Sequence, residues 1–213
     1  MCIRDRLIYE QIDRCKTIIS DMGSLGKDDQ YVKIIDFFTL LFEASQPYKN
    51  FDKQIIFRLN GVSQSHEGIS IKEKMIPLVK REPELIHGIR NIVHNALKFS
   101  KSHVDINLIT NSRKINLEIT DDGKGFSNDI TNMIGEPFLK KSNFYLMEVK
   151  NRTSEEGMGL GLFIANILLE KTNGRLKFSN MKQIESDGKK RITGAKVEIS
   201  WERSSIEVLQ WDK

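Results

Sequence analysis

The chain has 213 residues, enough for one domain of about 100–150 residues with additional elements. Its formal net charge of +4 arises from 33 basic and 29 acidic residues that are interspersed, and the lack of a basic stripe with interleaved aromatic residues argues against nucleic-acid binding. No apolar run approaches the roughly 18 residues of a membrane span, and the two cysteines, Cys2 and Cys15, have the spacing of neither a zinc site nor a disulfide framework. A cytoplasmic, reducing environment fits these features.

The N-terminal part of the chain predicts two helices and a strand. Apolar residues at helical spacing favour a helix over residues 7–22, and a second, broadly apolar segment favours a helix over residues 30–44. From Phe51 the apolar period becomes two, which predicts a strand that Asn60–Gly61 ends. We expect a polar loop and a short strand to follow, over residues 62–70 and 69–72.

The most strongly patterned segment is residues 84–100. Its apolar residues recur at the spacing of an amphipathic helix, and Pro83 suits a first helical turn. The other face of this helix carries polar residues at helical spacing, namely His87, Asn91, His94, Asn95 and Lys98. An asparagine carbonyl is a hard oxygen ligand that suits magnesium, and a lysine one turn further on suits a phosphate. A solvated polar face is the alternative interpretation.

The rest of the chain predicts strands around one more helix. Alternation of period two predicts strands over residues 104–108, 115–119, 175–179 and 192–201, with a helix over residues 160–172. A short helix over residues 127–133 and a long stretch of poor periodicity over residues 135–157 precede that helix. So long a loop in a compact domain is typical of a lid or binding loop. The pattern as a whole indicates an α+β fold with a sheet layered against helices.

The turn after the second of these strands combines a carboxylate with glycines. Period two places Asp121 on the same face as the apolar residues of its strand, where a carboxylate is costly without a hydrogen-bond donor. The amino group of an adenine would be such a donor. Gly123 and Gly125 let the backbone turn sharply and approach a ligand closely. An ordinary β-turn with a capping aspartate is the alternative.

A second group of glycines precedes the helix predicted over residues 160–172. Gly157, Gly159 and Gly161 would expose successive backbone amides at the positive end of this helix, where phosphates bind. Their spacing matches neither a Rossmann fingerprint nor a Walker A loop. A flexible start to a buried helix is the alternative.

Four motifs in chain order carry a resemblance to a known family. They are an N-x-x-x-N helix, a D-x-G-x-G turn, a phenylalanine in GEPF and a G-x-G-x-G helix start. Together they resemble the ATP-binding domain of sensor histidine kinases, in the superfamily shared with gyrase, heat-shock chaperone and mismatch-repair ATPases. The match is closer still to the RegB/PrrB type of redox-responsive kinase, on the segments PELIHGIRNIVHNALKFS, GEPFLKK and GMGLGLFIANILLEKTNG. The resemblance covers residues 50–201 and implies a Bergerat-type two-layer sandwich of a mixed sheet against helices.

The resemblance also implies roles for single residues. Asn95 would ligate Mg²⁺ on the ATP phosphates with support from Asn91, and Lys98 would contact a phosphate. Asp121 would bind the adenine amino group, and Phe99 would form a wall beside the nucleoside. The other implied ATP-binding residues are Gly123, Gly125, Phe138, Lys140, Gly157, Gly159, Leu160, Gly161 and Leu162.

Two departures from the family pattern bear on the activity. The superfamily's ATPases carry a glutamate, the general base for water, four residues before the metal-binding asparagine; here that position is Asn91, which favours phosphoryl transfer over hydrolysis. The H-E/D-x-x-x-P box of the phosphoacceptor is absent, because His66-Glu67 is followed by Ile71 where the proline should stand. Residues 7–22 then resemble the second helix of a dimerisation hairpin. Cys15 on that helix resembles the redox-controlled cysteine of the RegB/PrrB group, with core packing as the alternative.

The sequence therefore predicts the C-terminal catalytic part of a sensor histidine kinase that uses Mg²⁺ and ATP. The γ-phosphoryl group would pass to a histidine outside this chain and then to the receiver domain of a response regulator. We expect a helix remnant and linker in residues 1–28, the ATP-binding domain in residues 29–203 and a tail in residues 204–213, with a homodimer through the N-terminal helices and membrane attachment only through an upstream segment. The alternatives are an ATPase or serine-directed kinase of the same superfamily, and a nucleotide-sensing or regulator-sequestering module without transfer.

Overall fold

The computed structural model describes residues 33–49, 51–64, 76–126, 160–184 and 190–208. Several predicted elements lie outside these ranges: the helix over residues 7–22, the short strand over residues 69–72, the short helix over residues 127–133 and the loop over residues 135–157. In the part of the chain that is described, no helix is long and apolar enough to span a membrane.

The described elements are eight strands and four helices, with up to three successive strands between helices. The strands are β1 (Ile34–Asp36), β2 (Gln54–Leu59), β3 (Val62–Gln64), β4 (Leu78–Lys80), β5 (His103–Thr110), β6 (Lys114–Asp121), β7 (Arg175–Ile184) and β8 (Lys190–Glu202). The helices are α1 (Phe37–Ser45), α2 (Pro83–Phe99), α3 (Leu160–Lys171) and the single turn α4 (Arg203–Ile206), with a 3₁₀ turn at Gln46–Tyr48.

Six of the strands form one mixed sheet in the order β3-β2-β5-β6-β8-β7. The pair β2–β5 is parallel, with Ile55 opposite Val104, and the other neighbours are antiparallel. A parallel pair needs a crossover connection, and α2 lies in the one between β2 and β5. The strands β1 and β4 form a separate antiparallel pair. This mixed sheet against helices is the α+β architecture that the sequence predicts.

One face of the large sheet packs against the helices, as the period-two alternation predicts. The buried residues of β5 and β6 are Val104, Ile106, Leu108, Ile115, Leu117 and Ile119. They share one core with the apolar stripe of α2, including Leu85, Ile89 and Ile92. Burying each such side chain contributes roughly 1.5–3 kcal/mol, so the sheet and α2 hold each other in place.

Trp201 closes the core where β8 ends. Its side chain is 1% exposed, and its ring meets the ring of Phe37 edge to face at a centroid distance of 5.6 Å. The indole Nε1 donates a hydrogen bond of 3.1 Å to the hydroxyl of Thr172, directly after α3. Asn173, with φ of 61°, then turns the chain into β7, which agrees with the predicted end of this helix.

Two predictions for the first half of the chain are wrong in detail. The helix predicted over residues 30–44 begins only at Phe37, because the Asp36 side chain accepts a 2.8 Å hydrogen bond from the Thr39 amide and caps the helix there. The residues just before it form β1 and pair with β4, which the sequence does not predict.

The second correction concerns the polar loop predicted after Asn60–Gly61. The structure instead places the short strand β3 there, antiparallel to β2. Asn60 and Gly61 have φ of 49° and 82°, and two successive residues with positive φ make the two-residue turn that suits a β-hairpin.

Candidate functional site

The first two polar residues on this face of α2 are buried, not solvated. His87 and Asn91 are each only 7% exposed, and the Asn91 Nδ2 donates a 2.9 Å hydrogen bond to the His87 carbonyl one turn earlier. The reason is that α3 packs alongside α2. A Cβ on Gly88 would come within 2.6 Å of the Leu169 Cγ, so the two helices approach closely at this glycine.

The start of α3 lies beside Asn91. The Asn91 Oδ1 is 4.0 Å from the position that a Cβ on Gly161 would occupy. Gly161 is the last glycine of the G-x-G-x-G motif and lies in the first turn of α3, where backbone N–H groups lack intrahelical partners. The structure therefore brings together the asparagine helix and the described end of the glycine motif.

Asn95 lies one turn further along α2 and is half-buried. Among the described residues nothing hydrogen-bonds to its side chain, so its amide oxygen is available to a ligand. The described residues also contain no group of three or more histidine, cysteine or acidic side chains that could enclose a metal ion. A Mg²⁺ ion held by one or two protein oxygens together with phosphates and water would need no such group.

Asp121 ends β6 with its carboxylate on the core side of the sheet, as predicted, and it is 7% exposed. The backbone amides of Gly123 and Ala195 both donate to its Oδ1, at 2.8 and 3.2 Å. No hydrogen bond from the described residues reaches its Oδ2. The need for a donor is thus met at one oxygen by the protein itself, and the other oxygen stays available as an acceptor.

The pKa of Asp121 is raised above its usual value. Burial is the largest cause, because it disfavours the charged form, and the neighbouring Asp122 adds repulsion. The two backbone hydrogen bonds and the charge of Lys53 offset this only in part. A buried carboxylate of this kind gains from a hydrogen-bond donor on a bound ligand.

The end of α2 lies against the turn that follows Asp121. A Cβ on Gly123 would overlap with the Phe99 carbonyl oxygen, so only glycine allows this approach. Phe99 is 45% exposed and therefore presents an aromatic surface beside the turn. Gly125 has φ of +77°, a conformation that L-residues rarely adopt. Asp121, Gly123 and Phe99 thus lie together at one end of α2, while Asn91 and Gly161 lie about 12 Å away along the helix axis.

Three features that hold this end of α2 are not predicted by the sequence. The Lys53 Nζ donates to the carbonyls of Leu97 and Ser100, each at 2.6 Å, and so satisfies the C-terminal end of the helix. The carboxylate of Asp122 accepts hydrogen bonds from the amides of Lys101 and Ser102. The third feature is Gly194, where a Cβ would overlap with the Asp121 carbonyl. An isolated glycine in a strand is a known sign of such close approach, whereas no local pattern marks Lys53.

Adjacent aspartates in this turn have opposite pKa shifts. Burial alone would raise the pKa of Asp122, but hydrogen bonds from the Ser102 hydroxyl and from three backbone amides stabilise the ionised form and lower it well below its usual range. Asp122 therefore fixes the connection between α2 and β5, while Asp121 keeps an oxygen for a ligand.

The remaining predicted residues are placed only in part. Lys98 is exposed, with its Nζ 5.3 Å from the centroid of the Phe99 ring. Leu162 is partly buried against the core, and Leu160 begins α3. Five predicted residues lie outside the described ranges: Cys15, Phe138, Lys140, Gly157 and Gly159.

Cavity size does not identify the site. Two polar cavities of about 290 and 280 Å³ border the C-terminal end of α3, and both include Asn173 and Ser205. Neither includes Asp121 or Asn95. The chemistry of the buried carboxylate and the converging motifs, rather than the volume of a cavity, marks the candidate site.

Comparisons with known proteins agree with this geometry. Residues 80–204, more than half of the chain, match the family described as "Histidine kinase-, DNA gyrase B-, and HSP90-like ATPase". The chain is 36% identical over 197 residues to the sensor histidine kinase RegB of Cereibacter sphaeroides, and the match covers 92% of this chain and 41% of RegB. It therefore spans less than half the length of this relative.

Two solved structures share the fold. The mycobacterial sensor histidine kinase MprB matches with a TM-score of 0.54 at 17% identity, over 81% of this chain and 97% of that chain. Full-length ShkA in complex with AMPPNP matches with a TM-score of 0.56 at 16% identity, over 95% of this chain and 38% of that chain. At such identities the likeness shows the fold alone.

Proposed function

This chain belongs to the family of histidine kinase-, DNA gyrase B- and HSP90-like ATPases, and we propose that it is the ATP-binding catalytic part of a two-component sensor histidine kinase. The observation that carries this proposal is the environment of Asp121. Its carboxylate is buried, with one oxygen held by two backbone amides and the other without a partner among the described residues. An acceptor-only group in this position suits the amino group of adenine.

The base would lie at the Phe99 end of α2. Asp121 would accept a hydrogen bond from the adenine amino group through its Oδ2, and the exposed ring of Phe99 would cover the nucleoside. Gly123 and Gly125 let the turn approach the base without a side chain in the way. This arrangement selects adenine over guanine, because guanine carries a carbonyl where adenine carries the amino group.

The phosphates would lie toward the start of α3. Asn95 would hold Mg²⁺ through its amide oxygen, with Asn91 in support, and Lys98 would contact a phosphate oxygen. The backbone amide of Gly161 points from a helix N-terminus, where anions are stabilised. When bound, Mg²⁺ supplies neutralisation of the phosphate charge. The residues of this chain position and shield the γ-phosphoryl group and do not form a bond with it.

Asn91 favours transfer to a histidine over hydrolysis. A water nucleophile needs a general base, and an amide side chain does not accept a proton near neutral pH. The histidines of the described residues are engaged elsewhere: His94 stacks on Tyr48 at 5.3 Å, His103 lies 3.4 Å from an Asp122 oxygen, and His87 is buried. We place the acceptor histidine on a helix of another segment, and the response regulator's receiver domain after it.

The wider organisation is part of the same proposal. Residues 29–203 would form the ATP-binding domain, and the helix over residues 7–22 would belong to a dimerisation hairpin that pairs two copies of the protein. Membrane attachment would come from an upstream segment, which leaves this part in the cytoplasm. The redox role of Cys15 stays a prediction, since the residue lies outside the described ranges.

The decisive experiment supplies the missing acceptor. The 213-residue chain is incubated with γ-labelled ATP and a separate dimerisation hairpin that carries the H-box of a sensor histidine kinase. We expect acid-labile, alkali-stable label on that hairpin and none on a hairpin whose acceptor histidine is replaced. Acid-stable label would indicate a serine-directed kinase, and phosphate release alone would indicate an ATPase. ATP binding without any transfer would favour the nucleotide-sensing module.

A further inference from the structure

Asn180, on β7, makes hydrogen bonds to the backbone of the turn over residues 121–126. Its Oδ1 accepts a 2.7 Å hydrogen bond from the Phe126 amide, and its Nδ2 donates a 2.9 Å hydrogen bond to the Phe126 carbonyl. A side chain here makes the two hydrogen bonds that a neighbouring strand would make. The two residues are 54 positions apart, so the contact ties β7 to the end of the turn.

Phe126 is held by its ring as well as its backbone. The ring packs edge to face on Phe178, with centroids 5.8 Å apart. Phe178 and Asn180 are two positions apart on β7 and therefore face the same side of the sheet. Directly before Phe126, a Cβ on Gly125 would come within 2.7 Å of the Asn180 Oδ1, so the turn passes closely over this side chain.

The partner strand β8 holds the other end of the same turn. The Ala195 amide donates to the Asp121 Oδ1, and Gly194 lies against the Asp121 carbonyl. Asn180 and Ala195 are opposite each other in the β7–β8 register. One rung of this hairpin therefore fixes both ends of the turn, Ala195 at Asp121 and Asn180 at Phe126. The register of the hairpin shifts one residue further on, after Met181.

We propose that Asn180 is a positioning residue for adenine recognition, acting through the backbone of residues 121–126. By fixing Phe126, it sets the path of Gly123 and Gly125 and so the direction in which the free oxygen of Asp121 points. The inference rests on the proposed function, because it takes the base of ATP as the ligand of this turn. It assigns to β7 a part in base selectivity although β7 itself need not touch the nucleotide.

The test measures nucleotide affinity and thermal stability in the same variants of the 213-residue chain. Asn180→Leu keeps the approximate size of the side chain and removes both hydrogen bonds, while Asn180→Asp keeps the acceptor and loses the donor. Gln183→Ala, an exposed position further along β7, is the matched control. We expect Asn180→Leu to weaken ATP binding about tenfold, which corresponds to 1.4 kcal/mol, and to reduce the preference for ATP over GTP. Asn180→Asp should show a smaller effect in the same direction.

A double-mutant cycle with Asp121→Asn separates positioning from simple stabilisation. If Asn180 acts through Asp121, Asn180→Leu adds little further loss of ATP selectivity once Asp121 is replaced. A lower melting temperature with an unchanged ATP/GTP ratio in both Asn180 variants would overturn the inference. Losses of ATP selectivity that are fully additive between Asn180→Leu and Asp121→Asn would also overturn it. If Asn180→Leu does not fold, an unchanged ATP/GTP affinity ratio in Asn180→Asp would overturn the inference.

The same measurements give a different result if the proposed function itself is wrong. In that case the unmodified chain would show no Asp121-dependent preference for adenine, so the parent and the Asp121→Asn variant would already agree. When the parent does prefer ATP and loses that preference on Asp121→Asn, an unchanged ATP/GTP ratio in both Asn180 variants refutes the role of Asn180 and leaves the proposed function intact.

Discussion

Replacing Asp121 by asparagine should separate nucleotide selectivity from protein stability. The amide has nearly the shape of the carboxylate, and its oxygen can still accept from the amides of Gly123 and Ala195. Those two donors fix the orientation of the new side chain. The free position then carries an NH₂ group in place of a carboxylate oxygen, so a donor would face the adenine amino group.

The expected loss of ATP affinity follows from this exchange. A hydrogen bond to a charged group contributes about 1.5–3 kcal/mol, and its loss corresponds to a factor of roughly 10–150 in the dissociation constant. The same NH₂ group can donate to the carbonyl of guanine. We therefore expect GTP affinity to stay equal or to rise. The preference for ATP over GTP then decreases, because ATP affinity falls while GTP affinity does not.

Stability should not fall in this variant. Burial raises the pKa of Asp121 in the folded state, which means that the ionised form is less stable there than in the unfolded chain. The contribution of such a group to the free energy of unfolding is fully present below its unfolded pKa and is lost as the pH rises through the folded pKa. The Asp121→Asn variant lacks this loss, so its stability relative to the parent should increase with pH across that window and then stay level.

The assay combines calorimetry with ATP and GTP, and thermal unfolding between pH 4 and pH 8. Asp122→Asn is the matched control, because this neighbouring carboxylate has its pKa lowered by hydrogen bonds and lies outside the proposed base contact. It should lose about 1–2 kcal/mol of stability across most of this pH range, because the folded pKa of Asp122 lies well below pH 4 and the carboxylate stays ionised in the folded state, and its ATP/GTP ratio should be unchanged. An Asp121→Asn variant that keeps the parent's ATP/GTP ratio would refute the base assignment.

Three further predictions concern the rest of the site. Asn95→Ala should lose the part of ATP affinity that EDTA also removes; calorimetry in which EDTA weakens the variant as much as the parent would exclude a metal role. The 213-residue chain alone should acquire no acid-labile label from γ-labelled ATP, because its described histidines are engaged elsewhere, and label on the chain itself would contradict this. Lys53→Met should lower stability by about 1–2 kcal/mol, since it leaves the Leu97 and Ser100 carbonyls without their cation. Lys177→Met, at an exposed position on β7, is its control in thermal unfolding, and equal melting temperatures would show that Lys53 is dispensable.

The sequence predicts best those features that repeat a local period. Alternation of Ile115, Leu117 and Ile119 is sufficient to place Asp121 on the buried face, and the helical stripe around Ile89 gives the central helix within a residue of its ends. Four motifs in order identify the family, and both the family and the α+β class are confirmed by the comparisons. The predictions of strands and helices succeed because the hydrophobic period indicates burial directly.

Short elements cannot be predicted from a hydrophobic period. Three residues of β3 are too few to show a period, and only the hairpin chemistry of Asn60–Gly61 could have indicated them. The strand β1 is hidden in a broadly apolar run, where the capping residue Asp36 is the better marker of the helix start.

Contacts between distant residues could not be predicted at all. Ala195 donates to Asp121 across 74 positions, and Asn180 meets Phe126 across 54. Nothing in the local sequence of β7 distinguishes Asn180, and in β8 the neighbouring Gly194 indicates a close approach without indicating which residue is approached. Only the sheet order, which brings β8 between β6 and β7, places them at the candidate site.

The position of Trp201 provides an intrinsic fluorescence reporter that is separate from the nucleotide. The chain has two tryptophans, Trp201 and Trp211, so Trp211→Phe leaves a single emitter. Trp201 is 1% exposed, and its strand neighbour is Ile115 at the far end of β6 from Asp121, about 20 Å away. Its emission should therefore shift to the red on unfolding and stay constant on ATP addition. The folding of Asp121 and Asn180 variants can then be compared with and without ATP, because the emission reports folding alone.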